Sequence, residues 1–415
     1  MTTSSPPARP APLGAVLGIT FLGSVSGGAF WAGLFFVTAG AYHFSPARNL
    51  VLATILSAIS TVAARASGRI AARWSPRRVL RAAIIVWALV AVLPGLAPGV
   101  EPVLWFAAVV GSAASAVLWP IVESYVSAGR HGARMRTAIG WFNVVWTPAA
   151  AVPLFVMPAL ASVGLAWSLG LAGVVNLLAL AVSRTLPPSP GQHHPEDARA
   201  AMGPEYPWLA RTSTWLLPAS YVISTALLPI LPFRLAAVGA GPRASIVAAV
   251  WMAARFVTFF VMWRTGFWHG RWGTLLLGVA GLLGGMTAVL LAPSLPGVMV
   301  GLVLFGVGMG LTYYAALYYS LSVGHAAVDA GGTFEALIGL GSCVGPLLGL
   351  GGHALFGGEG AAEATTVGLV FAVFAVAAPG LVRPYAEARR RRGPGERKGR
   401  VGADRQDAGR SERSA

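Results

Sequence analysis

The sequence predicts an all-α integral membrane protein with twelve transmembrane helices in two pseudo-symmetric bundles of six. Of the 415 residues, 56% are hydrophobic and only 11% are charged, and the mean hydropathy is +0.68. A soluble domain carries about 25% charged residues, so this chain cannot cover a water-exposed surface. Twelve apolar runs of roughly 18 to 27 residues are each long enough to cross the hydrocarbon layer as a helix. The runs do not alternate in polarity, which excludes a transmembrane β-barrel.

Short polar segments separate the runs and define the domain organisation. The segment 184–212 leaves six runs on either side, so we expect a linker between an N-terminal bundle, 13–183, and a C-terminal bundle, 213–383. Residues 1–12 form a predicted tail, and 384–415 a second, disordered tail rich in arginine and glycine. The predicted spans are 13–40, 49–67, 80–97, 103–127, 137–160, 163–183, 213–238, 244–264, 274–292, 297–322, 333–356 and 365–382.

The net charge of +16 comes from thirty basic residues, of which one is a lysine. They lie between and after the apolar runs, which indicates loops beside anionic lipid rather than a nucleic-acid-binding surface. If both termini are cytoplasmic, the inner loops hold eleven arginines and the outer loops only Arg48 and Arg243. The positive-inside rule therefore predicts this orientation. The near-absence of lysine suggests a GC-rich, bacterial coding sequence, so we expect a bacterial inner membrane.

A duplicated six-helix unit is visible at a shift of 198 residues. The loop after the second span and the loop after the eighth share Gly, Arg and Trp at the same relative positions, and a proline recurs in spans five and eleven. Matches at one shift in equivalent spans favour duplication. The pairs are Gly68 and Gly266, Arg73 and Arg271, Trp74 and Trp272, and Pro148 and Pro346.

This arrangement resembles the major facilitator superfamily over about residues 13 to 383. The family's loop between spans two and three is close to Gly-x-x-x-Asp-Arg-x-Gly-Arg-Arg, and the matching residues here are Gly68, Arg73, Arg77 and Arg78. The resemblance implies two halves that rock about a substrate site near the middle of the membrane. Ala72 replaces the motif aspartate, which in the family helps to close the cytoplasmic side.

Glu335, at the start of span eleven, is a candidate for the missing acid. The resemblance implies that spans two and eleven pack together, so that Glu335 could pair with Arg65, Arg69 or Arg73. The alternative is that its carboxylate stabilises the first helical turn through the helix dipole. The predicted cytoplasmic gate comprises Gly68, Arg65, Arg73, Arg77, Arg78, Gly266, Arg271 and Glu335.

Charged side chains within hydrocarbon usually face a cavity or a partner. Arg255 lies about 16 Å from the cytoplasmic loop after span eight. It either binds substrate or an opposing acid, or it is a structural residue that forms an ion pair or is hydrated without contacting substrate. Glu123 shares one face of span four with Trp119. The resemblance places span four at the central cavity, where Glu123 could take up a proton. The alternative is that it pairs with loop arginines such as Arg130.

Polar aromatic residues in span ten and an asparagine in span five are further candidates. Tyr314 and Tyr318 share one helical face, and Tyr319 lies on nearly the opposite face with Thr312, so only one set can face the cavity. Hydroxyl-bearing rings suit sugars, flat organic molecules or cations, and the alternative is helix packing. Asn143 is buried in the membrane and needs a hydrogen-bond partner.

These features predict secondary active transport of a small solute by alternating access, coupled to protons. Glu123 is the first candidate proton site and Glu335 the second. The alternative is a non-transporting receptor or scaffold of the same fold, with the region around Glu123, Arg255 and Asn143 packed dry. We expect no enzymatic activity, no cofactor and no metal site. The expected partners of the monomer are its solute, protons and the lipid bilayer, and both uptake and efflux fit this architecture.

Overall fold

The computed structural model describes residues 10–130, 132–190, 205–323, 328–355 and 361–391, and the regular structure in these residues is entirely helical. Eleven helices are long and apolar enough to span a membrane, and a bent pair makes a twelfth. They are α1 Leu13–Ala41, α2 Pro46–Trp74, α3 Pro76–Leu96, α4 Glu101–Ser127, α5 Gly132–Leu160, α6 Trp167–Thr185, α7 Tyr206–Leu227 with Leu231–Ala237, α8 Gly241–Arg264, α9 Trp272–Leu291, α10 Leu295–Val323, α11 Val328–Leu355 and α12 Ala361–Arg391. The twelve-span prediction is confirmed.

Local sequence signals explain where α2 begins and ends. Ser45 caps its first turn by accepting a hydrogen bond from the backbone N–H of Arg48, and Pro46 occupies the first helical position. At the other end, Ser75 adopts a φ of 77°, which few residues other than glycine tolerate. Pro76 then starts α3 at once. The first copy of the repeated motif therefore forms the last turns of α2, and a tight turn at Ser75 connects it to α3.

Several helix boundaries differ from the sequence prediction, and two of them, in α7 and α12, have an identifiable cause. α7 begins at Tyr206 rather than 213, because Tyr206 packs edge-on against Tyr319 and Leu209 is fully buried. α12 continues through Arg391 rather than ending before 384, since arginine is a good helix former and the helix can extend beyond the bilayer. Residues 191–204 of the predicted linker and residues 392–415 of the predicted tail lie outside the described residues.

The two halves face each other across a central cavity. The N-terminal half contributes α1, α2, α4 and α5 to the cavity wall, and the C-terminal half contributes α7, α8, α10 and α11. Between the halves, α2 packs closely against α11 and α5 packs against α8. The end of the molecule that carries Pro12, the start of α7 and the end of α12 is called the linker end below.

Glycines allow the closest approaches between helices within each half. A Cβ on Gly28 of α1 would overlap the backbone carbonyl of Ala150 on α5, and one on Gly341 of α11 would overlap that of Pro218 on α7. Small residues let transmembrane backbones approach in this way, which increases their van der Waals contact. These contacts fix the helices that position the cavity.

We predict that Gly341→Ala destabilises the protein by about 1–3 kcal/mol, because the added methyl group meets backbone that cannot move aside. The matched control is Gly284→Ala on α9, where no atom lies within 4 Å of the added Cβ. That variant should gain up to about 1 kcal/mol from helix propensity. Thermal unfolding of the purified proteins in detergent measures both, and equal melting temperatures would contradict the packing argument.

Candidate functional site

The central cavity has a volume of about 210 Å³ and lies between the two halves. Apolar and aromatic side chains form most of its wall, with serines and threonines between them. Among the described residues, its ionisable groups are Glu123, Glu335, Arg255, Tyr221 and Tyr313. The first comes from the N-terminal half and the other four from the C-terminal half. A buried cavity with a few polar groups is the usual form of a small-molecule site.

Irregular turns in two helices adjoin the cavity. α1 contains a π-helical turn at Ala29–Gly33, and Trp31 within it lines the cavity. In α4, Pro120 has no N–H to bond the carbonyl of Ala116, which also belongs to the cavity wall. Both features are common where a helix serves a function rather than packing alone.

Glu123 and Glu335 form a carboxyl pair that joins the two halves. Their side chains are hydrogen-bonded to each other, although one lies on α4 and the other on α11. A carboxylate only accepts hydrogen bonds, so one member of the pair must carry a proton. Neither forms an ion pair with an arginine within the described ranges. Glu335 therefore meets Glu123 in the cavity, rather than Arg65, Arg69 or Arg73 as the resemblance implied.

Arg255 presents its guanidinium to the same cavity. Its side chain is only 3% exposed, and it is hydrogen-bonded to the hydroxyl of Tyr221 on α7. Its Nε and Nη2 atoms find no hydrogen-bond acceptor in the described part of the chain. No acid there forms an ion pair with it, so the alternatives in which Arg255 pairs with an acid are not observed. A buried charge with two free donors is costly unless a ligand or water satisfies it.

An aromatic cage surrounds the guanidinium. Its carbon lies 4.5 Å from the ring centre of Trp146, 4.7 Å from that of Tyr313, 5.2 Å from Phe259 and 5.9 Å from Trp251. Such distances allow cation–π attraction. Trp251 and Phe259 lie four residues before and after Arg255, so their contacts with Arg255 could be predicted from the sequence. Trp146 belongs to the other half, so its contact with Arg255 could not.

Asn143 and Trp119 contribute to the site in different ways. Asn143 is fully buried, donates to the carbonyl of Ile139 and accepts a 3.0 Å hydrogen bond from the indole of Trp146. It therefore orients a ring of the cage and does not itself line the cavity. Trp119 lines the cavity on the face of α4 that carries Glu123, as their spacing predicted.

Neither of the two sets of α10 residues considered from the sequence faces the cavity. Tyr313 is the one that lines it. Tyr314, Tyr318 and Tyr319 pack against Trp268 in an aromatic cluster at the linker end. The expectation that one of these sets faces the substrate is therefore wrong. The side of α10 that faces the cavity lies between the face of Tyr314 and Tyr318 and the face of Thr312 and Tyr319.

The aromatic cluster also contains contacts between the halves. The hydroxyl of Tyr318 on α10 is hydrogen-bonded to Arg136 on α5, and its ring stacks on His269 with 4.9 Å between centres. Burial and the nearby charge of Arg136 lower the pKa of His269. The hydroxyl of Tyr319 accepts a hydrogen bond from the backbone N–H of Gly270, which lies within the second copy of the motif.

The predicted gate residues of the two loops lie at the linker end. Arg77 is half-buried and donates to the carbonyl of Leu186, so it ties the start of α3 to the end of the N-terminal half. Gly68 is buried within α2. The other residues of this set, apart from Glu335, have exposed side chains or, for glycine, exposed backbone: Arg65 and Arg73 on α2, Arg78 on α3, and Gly266 and Arg271 in the loop after α8.

Contacts join the halves on both sides of the cavity. At the linker end, Trp141 of α5 and Trp263 of α8 have ring centres 4.8 Å apart. At the opposite end, the buried amide of Asn49 on α2 donates to the carbonyl of Pro229, which the break in α7 leaves without a helical partner. Within the described residues, no group of three metal-ligating side chains accompanies the cavity.

We predict that Arg255→Met leaves the free energy of unfolding unchanged or raises it by up to about 4 kcal/mol, because it removes a buried charge with unsatisfied donors. The control is Arg130→Met at the end of α4. Arg130 is also buried, but it donates to the carbonyls of Tyr125, Val126 and Ala11. Its loss should cost about 1.5–3 kcal/mol or more. Thermal unfolding compares the two, and equal destabilisation would mean that Arg255 is a structural residue.

Solved structures share this architecture. The human organic anion transporter MFSD10 (TETRAN) aligns with a TM-score of 0.63 at 14% identity, over 87% of this chain and 97% of its own. The nucleoside transporter NupG aligns at 0.59 and 14% identity, over 90% and 97%, and a variant of NupG at 0.60 and 15%, over 90% and 98%. At such identities the likeness shows the fold alone.

The sequence itself carries the family assignment. No curated protein matches the chain with significance. The sequence-family model of the Major Facilitator Superfamily matches residues 16–349, which is most of the chain. Together with the twelve spans around a central cavity, this match shows that the chain belongs to the Major Facilitator Superfamily of membrane transporters.

Proposed function

We propose that the protein is a proton-coupled secondary transporter that works by alternating access, with the Glu123–Glu335 carboxyl pair as its proton site. The observation that carries the proposal is the hydrogen bond between these two side chains inside the cavity. It joins the halves only while one of the two carboxyls is protonated. Membership of a transporter family supports transport, and the carboxyl pair supplies a means of coupling it to protons.

Loss of the shared proton would change the contact from attraction to repulsion. Two negative charges about 4 Å apart repel by roughly 4 kcal/mol at an effective dielectric constant of 20. Such an energy is large enough to shift an equilibrium between two conformations about a thousandfold. Deprotonation is therefore expected to favour the conformation in which α4 and α11 separate at the linker end.

The groups around the pair are consistent with a proton site that also senses substrate. Tyr221 of α7 and Tyr313 of α10 lie within electrostatic range of both carboxyls and of Arg255. A ligand that changes the charge near Arg255 would change the affinity of the pair for its proton. Linkage then requires the proton to change the affinity for the ligand equally.

Alternating access requires that the contacts at each end open in turn. At the linker end these are the Trp141–Trp263 contact and the Arg136–Tyr318 hydrogen bond. At the opposite end the Asn49–Pro229 hydrogen bond is buried. Rocking of the halves would have to exchange each set for water in turn. A cavity that keeps buried ionisable groups between two such sets favours a transporter over a receptor or scaffold of the same fold.

The arginine-rich linker end is placed in the cytoplasm of a bacterial cell, with both termini inside, following the positive-inside rule. The proposed unit is a monomer, because each chain contains both halves of the cavity. Its partners are a small solute, protons and the surrounding lipid, and no catalytic step is proposed.

We predict that infrared spectra of the purified protein near neutral pH contain a carboxylic acid C=O band that is lost in both Glu123→Gln and Glu335→Gln. The glutamine amide can donate an N–H to the remaining carboxylate, which then needs no proton. The control is Glu101→Gln, since Glu101 is ion-paired with Arg48 and should contribute no acid band. An unchanged band in both cavity variants would overturn the proton-site assignment.

We predict further that the same cavity variants exchange solute across proteoliposomes but do not accumulate it in response to a pH gradient. The solute is the one identified by comparing metabolites of cells with and without the protein. Glu101→Gln should accumulate it normally. Accumulation by Glu123→Gln with the pH dependence of the unaltered protein would show that transport is not coupled through this pair.

A further inference from the structure

The positive charge of Arg255 is not neutralised by any acid within the described residues. A guanidinium stays charged in proteins, and the Arg255 side chain is only 3% exposed to solvent. The two acids of the cavity are hydrogen-bonded to each other instead of to Arg255. The middle of the cavity therefore has an uncompensated positive charge, and an anion would remove the cost of burying it.

The geometry of the free donors restricts the kind of anion. Nε and Nη2 lie on one edge of the guanidinium plane, and both lack an acceptor among the described residues. The N–H bonds on this edge are parallel, and they match the two oxygens of a carboxylate. The rings of the cage attract the positive charge through their faces. They do not accept the in-plane hydrogen bonds that Nε and Nη2 can donate, whereas the oxygens of an anion do.

The rest of the wall restricts the body of the ligand. Trp31, Phe35, Trp119 and Phe142 also line the cavity and are not part of the cage around Arg255, and methionine and alanine side chains line it with them. Such a wall binds flat apolar groups by stacking and by burial of apolar surface. The volume of about 210 Å³ is below the range of about 300–1,000 Å³ typical of drug-sized ligands. The ligand is therefore small.

We infer that the cavity binds a small organic carboxylate, with its carboxylate on the Nε–Nη2 edge of Arg255 and an aromatic or similarly apolar body against the facing rings. The inference rests on the proposed function, because it identifies the cavity as the substrate site of that transporter. It goes further in fixing the charge and chemical class of the substrate. Inorganic anions share the charge but cannot use the apolar wall, so they should bind weakly.

The test is calorimetric titration of the purified full-length protein with 2-naphthoate and benzoate, and with their neutral amides. We expect saturable binding of at least one carboxylate, with its amide weaker by about 10- to 100-fold, the range expected when a charge-assisted pair is lost. Chloride and phosphate at the same concentration should not displace a bound carboxylate. Equal affinity for acid and amide, or no binding of either carboxylate, would overturn the inference.

Variants assign the binding to Arg255. Arg255→Gln should bind acid and amide equally, and Arg255→Lys, which retains the charge but not the two-pronged edge, should weaken binding of the acid by about tenfold. Arg264→Gln changes an exposed arginine at the end of the same helix and should bind like the unaltered protein. If Arg255→Gln does not fold, the lysine variant decides. Unchanged preference for the acid in the Arg255 variants would contradict the assignment.

This test separates the two proposals. Carboxylate binding needs neither a membrane nor a proton gradient, so it can succeed when coupled transport fails. Conversely, infrared loss of the acid band in the cavity variants does not depend on the identity of the solute. Failure of binding with an intact infrared result would refute the substrate class and leave the proton site in place.

Discussion

The hydrogen bond between Glu123 and Glu335, with the proton that we propose they share, is the interaction on which the proposed mechanism depends. Each residue comes from a different half, and together they form a polar bridge within an otherwise apolar cavity. In water such a bond would be weak, but in a buried site its presence or absence is worth several kcal/mol. It lies within a few turns of the linker end, since Glu123 is only four residues before the end of α4. A proton there can therefore act on the contact between the halves.

Arg255 gives the same cavity a second charge that the fold leaves unsatisfied. A protein selected for stability alone would replace it with an apolar residue of similar volume, since burying a charge without a partner is unfavourable. Unsatisfied polar groups in an otherwise consistent structure tend to mark functional sites. The carboxyl pair and the guanidinium are separate in the cavity but share Tyr221 and Tyr313 as neighbours. Substrate charge and proton occupancy can influence each other through this short distance.

The sequence predicted the parts of this structure that depend on composition and helical spacing. Span number and the shared face of Trp119 and Glu123 follow from hydropathy and the 3.6-residue period. Arg255 was identified because a charge in the middle of a span needs a partner. The pairing of Glu335 was not predictable in this way, because it depends on how α11 is rotated about its axis against α4. Family resemblance supplied an arginine partner for Glu335, and tertiary packing instead placed it beside Glu123.

The most direct test of the central claim is the distance between the halves at the linker end as a function of pH. Spin labels at Arg134→Cys on α5 and Arg264→Cys on α8, both exposed, report it after Cys343→Ser removes the one native cysteine. We expect double electron–electron resonance to show longer distances when the pH is raised. With Glu335→Gln, whose amide donates permanently to Glu123, the short distance should persist at both pH values. The same pH-dependent lengthening in that variant would contradict the account.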